Sequence, residues 1–246
     1  MISLRIEEAA LNAWPALNSL LYDGWLLRFA RGYTKRANSI NPIFPGTLAL
    51  ESKVDYCEAI YQQQNLQPVF RLTTLTDKQK LDNLLLARGY ELIDRTKVQA
   101  CDLNIVAAES SPQTVIWDNQ EGLRSWLDVF HKLNPQRVDA MTHEKMLRRI
   151  MSPAAPMVMW DDNEIVACGL GVVEDEYLGL FDIATGSNHR RKGYARTLTG
   201  SLLAWGHDLG ARYAYLQVME SNKAAIQLYQ RLGFQDVYHY WYRVKH

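Results

Sequence analysis

The sequence predicts an α/β protein with a mixed sheet, organised as two successive units of about 120 residues each. Strand-like segments alternate with helical periodicities, which is typical of a sheet that carries helices. The 246 residues are 48% hydrophobic, enough for a substantial core. A helix–Gly–strand pattern occurs twice, around residues 84–90 and around residues 228–234. The units are predicted to span residues 1–105 and 112–246, with the linker within residues 101–114.

The N-terminal unit contains a predicted strand, a helix and a closing strand. Residues 68–73 are rich in β-forming side chains, and residues 77–88 carry apolar side chains at helical spacing. Gly89 follows the helix, where glycine readily adopts the left-handed conformation of a C-terminal cap. Residues 91–101 are predicted as the closing strand because they are again rich in β-forming residues.

The C-terminal unit is predicted to begin with two helices. One face of the first helix carries the apolar residues Leu123, Trp126, Leu127 and Phe130. The second, shorter helix is marked by Met146, Leu147 and Ile150. Thr142 precedes these residues and is expected to be its N-cap.

Strands and one crossover helix complete this unit. Residues 157–160 and 165–173 flank a polar turn and predict a hairpin, and residues 177–185 supply the next strand. An apolar seam predicts a helix over residues 196–209, so the strand that follows it, residues 213–218, is expected to run parallel to its predecessor. The alternating aromatic segment 236–244 is predicted as a final strand packed on both sides.

A basic turn connects the strand 177–185 to the helix 196–209. It reads Arg190-Arg191-Lys192-Gly193-Tyr194-Ala195. A strand that leads through such a turn into a helix start presents unpaired backbone N–H groups beside the positive end of the helix dipole, where a pyrophosphate can bind. Gly193 and Ala195 leave that backbone uncovered, and glycine also tolerates a positive φ. Taken alone, such a turn is more often a solvated basic loop than a ligand-binding one.

A second motif stands at a fixed distance downstream. It is a helix with Asn222 at its start and Gly233 just past its end, written Asn222-x-x-Ala225-x-x-Leu228-Tyr229-x-x-x-Gly233-Phe234. Together with Arg190-x-x-Gly193-x-Ala195, it closely resembles the two signature motifs of the GNAT superfamily of acetyl-CoA-dependent N-acetyltransferases. The resemblance covers the chain from about Thr114 onward. It departs from the family pattern where Ala195 replaces the last glycine of the loop and where no proline precedes the loop.

The resemblance implies a GNAT-like acyltransferase fold and transfer of an acetyl group from acetyl-CoA to the primary amine of a small-molecule or peptide acceptor, by direct attack in a ternary complex. In GNAT folds the strand before the loop splays from its parallel neighbour and binds the pantetheine, and the loop binds the pyrophosphate. Asn222 is expected to cap its helix, to contact the cosubstrate, or to do both. The residues expected to bind acetyl-CoA are Ile183, Ala184, Thr185, Arg190, Arg191, Lys192, Gly193, Tyr194, Ala195, Arg196 and Asn222.

Acyl transfer to an amine requires a base that deprotonates the amine and benefits from an acid that protonates the departing thiolate. Tyr229 is the predicted acid, and the alternative for it is an interior tyrosine that only packs. Asp182 is the preferred base because it lies on the strand that enters the loop. Glu176, Glu220 and a chain of water molecules are the alternatives.

The N-terminal unit is predicted to be a degenerate copy of the same plan. When the two helix-ending glycines are aligned, Leu85 falls opposite Tyr229 and Lys78 opposite Asn222. Residues 41–46 then stand where a basic phosphate loop would be needed. The alternative is that helix–Gly–strand is simply a common unit. Residues 23–39 are predicted as an ordinary hairpin with solvated basic side chains, or alternatively as a wall of the acceptor pocket.

The composition of the chain excludes several classes of partner and cofactor from the prediction. The 27 basic and 27 acidic residues balance, so neither nucleic acid nor membrane is an expected partner, and no metal is predicted because His143-Glu144 lacks a second histidine at zinc-binding spacing. Three scattered cysteines and the absence of an apolar leader predict reduced thiols and a cytoplasmic location. A non-catalytic acyl-CoA sensor is the alternative function. The sequence predicts neither the acceptor nor the oligomeric state.

Overall fold

An 11-stranded mixed sheet organises the computed structural model, which describes residues 2–106, 109–117, 120–136 and 139–245. The helices of this described part are α1 Ile2–Ala13, α2 Leu50–Gln63, α3 Gln79–Ala87, α4 Gln120–Leu133, α5 Ala140–Leu147, α6 Tyr194–Asp208 and α7 Lys223–Arg231. Its strands are β1 Asn18–Tyr22, β2 Trp25–Phe29, β3 Ile40–Pro42, β4 Val69–Thr73, β5 Glu91–Asp102, β6 Thr114–Ile116, β7 Ala154–Asp161, β8 Glu164–Glu174, β9 Tyr177–Thr185, β10 Tyr213–Met219 and β11 Gln235–Val244.

The two halves of the chain exchange their last strands. The strand order is β1-β2-β3-β4-β11-β5-β10-β9-β8-β7-β6. The N-terminal strand β5 therefore pairs antiparallel with β10, and the C-terminal strand β11 pairs antiparallel with β4. At the centre, β5 and β11 pair with each other, also antiparallel. Backbone hydrogen bonds consequently run through the whole sheet without a break between the halves.

The same succession of elements occurs on each side of this centre. In the N-terminal half β2 pairs antiparallel with β3, and β3 runs parallel to β4 through the crossover helix α2. In the C-terminal half β8, β9, α6 and β10 repeat the arrangement. The tandem GNAT-like fold is thus confirmed. The division at residues 105 and 112 stays a prediction, and residues 107–108 of the proposed linker lie outside the described residues.

Apolar side chains cover both faces of the C-terminal part of the sheet. On one face α1, α4 and α5 contribute buried residues such as Ile6, Trp126 and Met146 to a cluster that includes Phe181 of β9. On the other face α6 and α7 contribute residues such as Leu198 and Tyr229. The end of β9 therefore has packed helices on both faces of the sheet. Within the described ranges, no helix has both the length and the apolar character needed to cross a bilayer.

Most of the predicted elements of the C-terminal half are present, and one predicted helix cap is wrong. The strand predicted over residues 177–185 matches β9, and β10 runs parallel to it as expected. Thr142 is not an N-cap. Asp139 holds that position and accepts the backbone N–H of Thr142 at 2.9 Å, while Thr142 is buried inside α5. An aspartate three residues earlier supplied the cap instead.

Candidate active site

Strands β9 and β10 separate before they end. Their register runs from the pair Tyr213 and Tyr177 to the pair Leu216 and Leu180, although β9 continues to Thr185 and β10 to Met219. Beyond Leu180, β9 is paired only with β8, on its other edge. One edge of the segment Ile183–Ala184–Thr185 is therefore left without a strand partner, which suits an extended ligand that adds to the sheet.

A β-bulge in this separated part of β9 turns Asp182 toward the α4 and α5 face. The register with β8 shifts between Cys168 and Leu170, so that two residues of β9 oppose Gly169 alone. Asp182 has a φ of 48°, a left-handed conformation that aspartate tolerates better than most residues. Gly169 stands opposite the bulge, and a Cβ there would lie 2.5 Å from Ile183 Cδ1 and displace that side chain.

Asp182 contacts His143 of α5, and His131 of α4 extends the contact. His143 Nε2 lies 2.9 Å from Asp182 Oδ2, and His143 Nδ1 lies 3.4 Å from His131 Nε2. The approach of His143 to Asp182 is not aligned as a hydrogen bond, and among the described residues neither atom has a hydrogen-bond partner. Both atoms are buried, and their hydrogen-bonding capacity is unused among the described residues. The three side chains form a path from the bulge to half-buried His131.

Aromatic rings enclose the His143 imidazole. The ring centroids of Trp14, Tyr33, Phe130 and Trp126 lie between 5.1 and 6.5 Å from that of His143, whose side chain is 0% exposed. Such an environment excludes water and strengthens the interaction between the imidazole and the carboxylate. Tyr33 comes from the N-terminal half, just after the hairpin that β1 and β2 form. The strand predicted within residues 23–39 is present as β2, which pairs with β1 and β3. The prediction of solvated basic side chains is wrong for Arg36, because its Nε is buried and its guanidinium lies 5.8 Å from the Trp14 ring centroid.

The basic loop leaves its backbone donors open. Arg191 and Gly193 have φ values of 62° and 92°, and Gly193 is the N-cap of α6 without any side-chain cap. Within the described residues, the N–H groups of residues 190–195 donate no hydrogen bond. The exposed cations of the loop, Arg190, Arg191, Lys192 and Arg196, form no salt bridge in the same part of the chain. The loop therefore combines a helix start, free amides and uncompensated positive charge, which together favour an anion.

Other predicted binding residues lie around this loop. Tyr194 is the first residue of α6. Its hydroxyl donates a hydrogen bond to Asp161 of β7, which fixes the end of the loop to that strand. Asn222 is the N-cap of α7, since its Oδ1 accepts the Ala225 N–H at 3.2 Å. The capping interpretation of Asn222 is confirmed, and its contact with the cosubstrate stays a prediction.

Tyr229 lies on the α6 and α7 face of the sheet, opposite the face that holds His143. It is 8% exposed and packs edge-on against Phe234 with ring centroids 5.8 Å apart. Burial raises the pKa of Tyr229 to about 12. Within the described residues its hydroxyl makes no hydrogen bond, so its proton is available to a ligand. The two predicted catalytic residues, Tyr229 and Asp182, thus approach the separated strands from opposite sides.

The structure separates the alternative bases from the bulge. Glu176 precedes β9 by one residue and is six residues from Asp182, which is about 20 Å along an extended strand. Glu220 follows β10, and its Oε1 lies 3.2 Å from His239 Nδ1. Only Asp182 among the three candidates contacts the His143 imidazole. The sequence analysis considered His143 only as a zinc ligand and missed this contact, and the described residues contain no cluster that could hold a metal.

In the N-terminal half an internal carboxylate fills the position of the phosphate loop. The segment between β3 and α2 corresponds to the loop between β9 and α6. There Asp23 accepts the N–H groups of Thr47 at 2.8 Å and Leu48 at 3.1 Å, and Lys53 Nζ lies 2.9 Å from its Oδ2. The hydrogen bond from Thr47, followed by those from Lys53 and Leu48, holds the pKa of Asp23 well below its usual range. Two backbone donors of this segment and the Lys53 cation are therefore already used by Asp23.

Comparisons with known proteins agree with this geometry. The family model described as "Probable histone acetyltransferase Rv0428c C-terminal" matches residues 4–243. YobR of Bacillus subtilis (strain 168), named an uncharacterized N-acetyltransferase, is 32% identical over 250 residues, which cover 98% of each chain. A GCN5-related N-acetyltransferase structure from Kribbella flavida has a TM-score of 0.74 at 14% identity and covers 99% of this chain and 95% of its own.

A tandem GNAT protein from the clavulanic acid biosynthesis pathway also has a similar fold. Its structure has a TM-score of 0.61 at 14% identity and covers 78% of this chain and 68% of its own. At this identity the similarity shows a shared fold. The match of the family model over both halves and the similarity to YobR show more. The chain belongs to the Rv0428c C-terminal acetyltransferase family and is an N-acetyltransferase of the GNAT superfamily.

Proposed function

We propose that the protein transfers an acetyl group from acetyl-CoA to a primary amine, by direct attack within a ternary complex. The observation that carries this proposal is the run of free amides at residues 190–195, placed at the end of a strand that has separated from its parallel neighbour. Free amides and cations at the start of α6 suit a pyrophosphate, and the open edge of β9 suits a pantetheine chain. The thioester then lies beside the Asp182 bulge.

Asp182 is the proposed base, and His143 is its positioning residue. An ammonium acceptor that enters from the α4 and α5 face meets the Asp182 carboxylate first, which can accept its proton. His143 holds that carboxylate from behind at 2.9 Å, and His131 continues the path toward solvent. Once the His143 ring turns into line with Asp182, the two imidazoles offer a proton taken from the amine a route away from the reacting atoms.

Direct attack is favoured over an acyl-enzyme because the thiol nearest the bulge is unreactive. Cys168 stands opposite Ala184 in the register of β8 and β9 and is fully buried. Burial raises its pKa, and the negative charge of Asp182 raises it further. A thiol that stays protonated is a poor nucleophile. The amine itself is therefore the proposed nucleophile, and a backbone N–H of the open β9 edge is the proposed donor to the oxyanion.

The proposed reaction is tested by measuring thiol release from acetyl-CoA against a panel of amines. The panel contains small primary amines, amino acids and short peptides with a free N-terminus. We expect release to depend on one acceptor class, with initial-rate plots that intersect, as a ternary complex requires. Binding of acetyl-CoA without release for any acceptor would favour the sensor instead. Parallel initial-rate lines would indicate an acyl-enzyme.

The role of His143 predicts a specific kinetic change in a His143→Gln variant. Glutamine keeps polar atoms near Asp182 but cannot pass a proton through a ring. We expect kcat to fall by about 10- to 100-fold across the pH–rate profile, the range found for residues that orient a reactive group. Calorimetry should show an unchanged Kd for coenzyme A. His207→Gln, at an exposed position near the end of α6, is the control and should keep the parent profile.

The filled position in the N-terminal half predicts one coenzyme A per chain. Asp23 already occupies the amides of Thr47 and Leu48, so this half offers no second pyrophosphate site. Isothermal titration calorimetry of the full chain should give a stoichiometry of one. Two equivalent sites would show that the N-terminal half still binds the cosubstrate.

A further inference from the structure

A cavity of about 690 Å3 lies between the N-terminal half and helix α5. Its walls come from the start of β1, the end of β2, the turn after α2 and the last part of α5. The volume falls within the range of small-molecule sites. It is separate from the site at Asp182, because its α5 residue Lys145 is two positions from His143 and so points to the other side of the helix.

The charged residues that line this cavity are all basic. Arg31 comes from the N-terminal half, Lys145 comes from α5, and Arg149 comes from the turn that follows α5. In the part of the chain that the structure describes, none of the three forms a salt bridge. The hydrogen bond from Thr142 and the positive charges of Arg31 and Lys145 lower the pKa of Asp139 at the start of α5. Asp139 does not line the cavity, and it already accepts the Thr142 N–H. Three cations that line one space, with no acidic residue in its lining, favour an anion there.

The position of Arg31 is held by a buried side chain. Arg31 has a φ of 52°, which is unfavourable for a residue with a long side chain. Asn38, only 4% exposed, accepts the N–H groups of Ala30 at 2.6 Å and Gly32 at 2.9 Å, on either side of Arg31. Strained conformations that the surroundings enforce in this way recur at ligand-binding positions. On the opposite wall, Arg149 Nη1 donates to the Lys145 carbonyl at 3.2 Å, which orients its guanidinium.

We propose that this cavity binds a small molecule with an oxyanion group, a phosphate or a carboxylate, between Arg31 and the Lys145–Arg149 pair. The side-chain amides of Asn18, Gln64 and Asn65 also line the cavity and can donate to such a ligand. Bound there, the anion links the N-terminal half to the helix that carries His143. The proposal stands independently of the transfer chemistry, since it uses none of the residues at the bulge or in the basic loop.

The test is calorimetry of the full chain saturated with coenzyme A, so that the basic loop is filled. Inorganic pyrophosphate probes for a phosphate ligand, and citrate probes for a carboxylate ligand. We expect saturable binding of at least one probe with a stoichiometry of one. In a Lys145→Ala, Arg149→Ala double variant, we expect the affinity to fall by about tenfold or more, because charge-assisted hydrogen bonds are lost.

Two further variants keep the result interpretable. Arg31→Gly removes the cation and the backbone strain together, so the variant should fold and should lose affinity for the probe. Lys80→Ala with Arg231→Ala removes two exposed cations elsewhere and should leave the affinity unchanged. Absence of binding by both probes, or equal binding by the double variant, would overturn the proposal. Binding that appears only without coenzyme A would also overturn it, because the probe would then lie in the basic loop.

Discussion

A Gly193→Val variant is expected to lose coenzyme A binding, with a rise in Kd of about 10²- to 10⁴-fold. Gly193 has a φ of 92°, which a β-branched residue does not readily adopt, so the loop must change its backbone conformation. That change removes the alignment of the amides around the helix start. Two charge-assisted hydrogen bonds at about 1.5–3 kcal/mol each account for the expected range. Calorimetry measures the Kd directly.

Gly210→Val is a matched control for this loss. Gly210 has a φ of 90°, and, as at Gly193, a Cβ there would meet nothing within 4 Å. It follows α6 at the other end of the helix, so valine causes a similar backbone strain far from the loop. Both variants should lose comparable stability in thermal unfolding, and only Gly193→Val should lose binding. A folded Gly193→Val protein with the parent affinity would refute the loop as the pyrophosphate site.

A Tyr229→Phe variant is expected to lose kcat by about 10²-fold or more while its Kd for coenzyme A stays nearly unchanged. Phenylalanine keeps the ring that packs against Phe234 and removes only the proton proposed for the departing thiolate. Because burial raises the pKa of Tyr229 to about 12, its ionisation should not limit the parent enzyme until the pH approaches that value. The same raised pKa makes it a weaker acid, which places the expected loss at the lower end of the range for acid catalysis.

Tyr177→Phe provides the control for the loss of a buried phenol. Tyr177 is 6% exposed and stands at the start of β9, away from the bulge. Its substitution should leave kcat unchanged. A Tyr229→Phe variant as active as the parent at every pH would exclude Tyr229 as the acid. Positioning and the backbone amides would then be the sources of the rate.

The parts of the site that are formed by a single short segment could be predicted from the sequence. The loop around Gly193 and the cap at Asn222 each depend on a few neighbouring residues with distinct backbone preferences. The strand before the loop was placed correctly for the same reason. The Thr142 cap failed because Asp139 lies within reach of the same helix start and was not considered.

Contacts between segments that are distant in the chain could not be predicted from the sequence. The bulge at Asp182 depends on how β9 pairs with β8, and a residue's side of a strand cannot be read without that register. The contact of Asp182 with His143 joins a strand to a helix nearly 40 positions earlier in the chain. The exchange of β5 and β11 could not be predicted from the sequence either, because each strand has an ordinary β pattern whichever partner it pairs with.

The exchanged strands also bear on how such a protein can change during evolution. A copy that no longer binds a cosubstrate would ordinarily be dispensable, and a gene could lose it. Here the N-terminal half supplies β5, which lies directly beside β10 of the C-terminal half. A deletion of that half would leave β10 with an open edge and β11 without its neighbours on either side. The C-terminal half therefore depends on the N-terminal half for the integrity of its sheet, and the two must be inherited together.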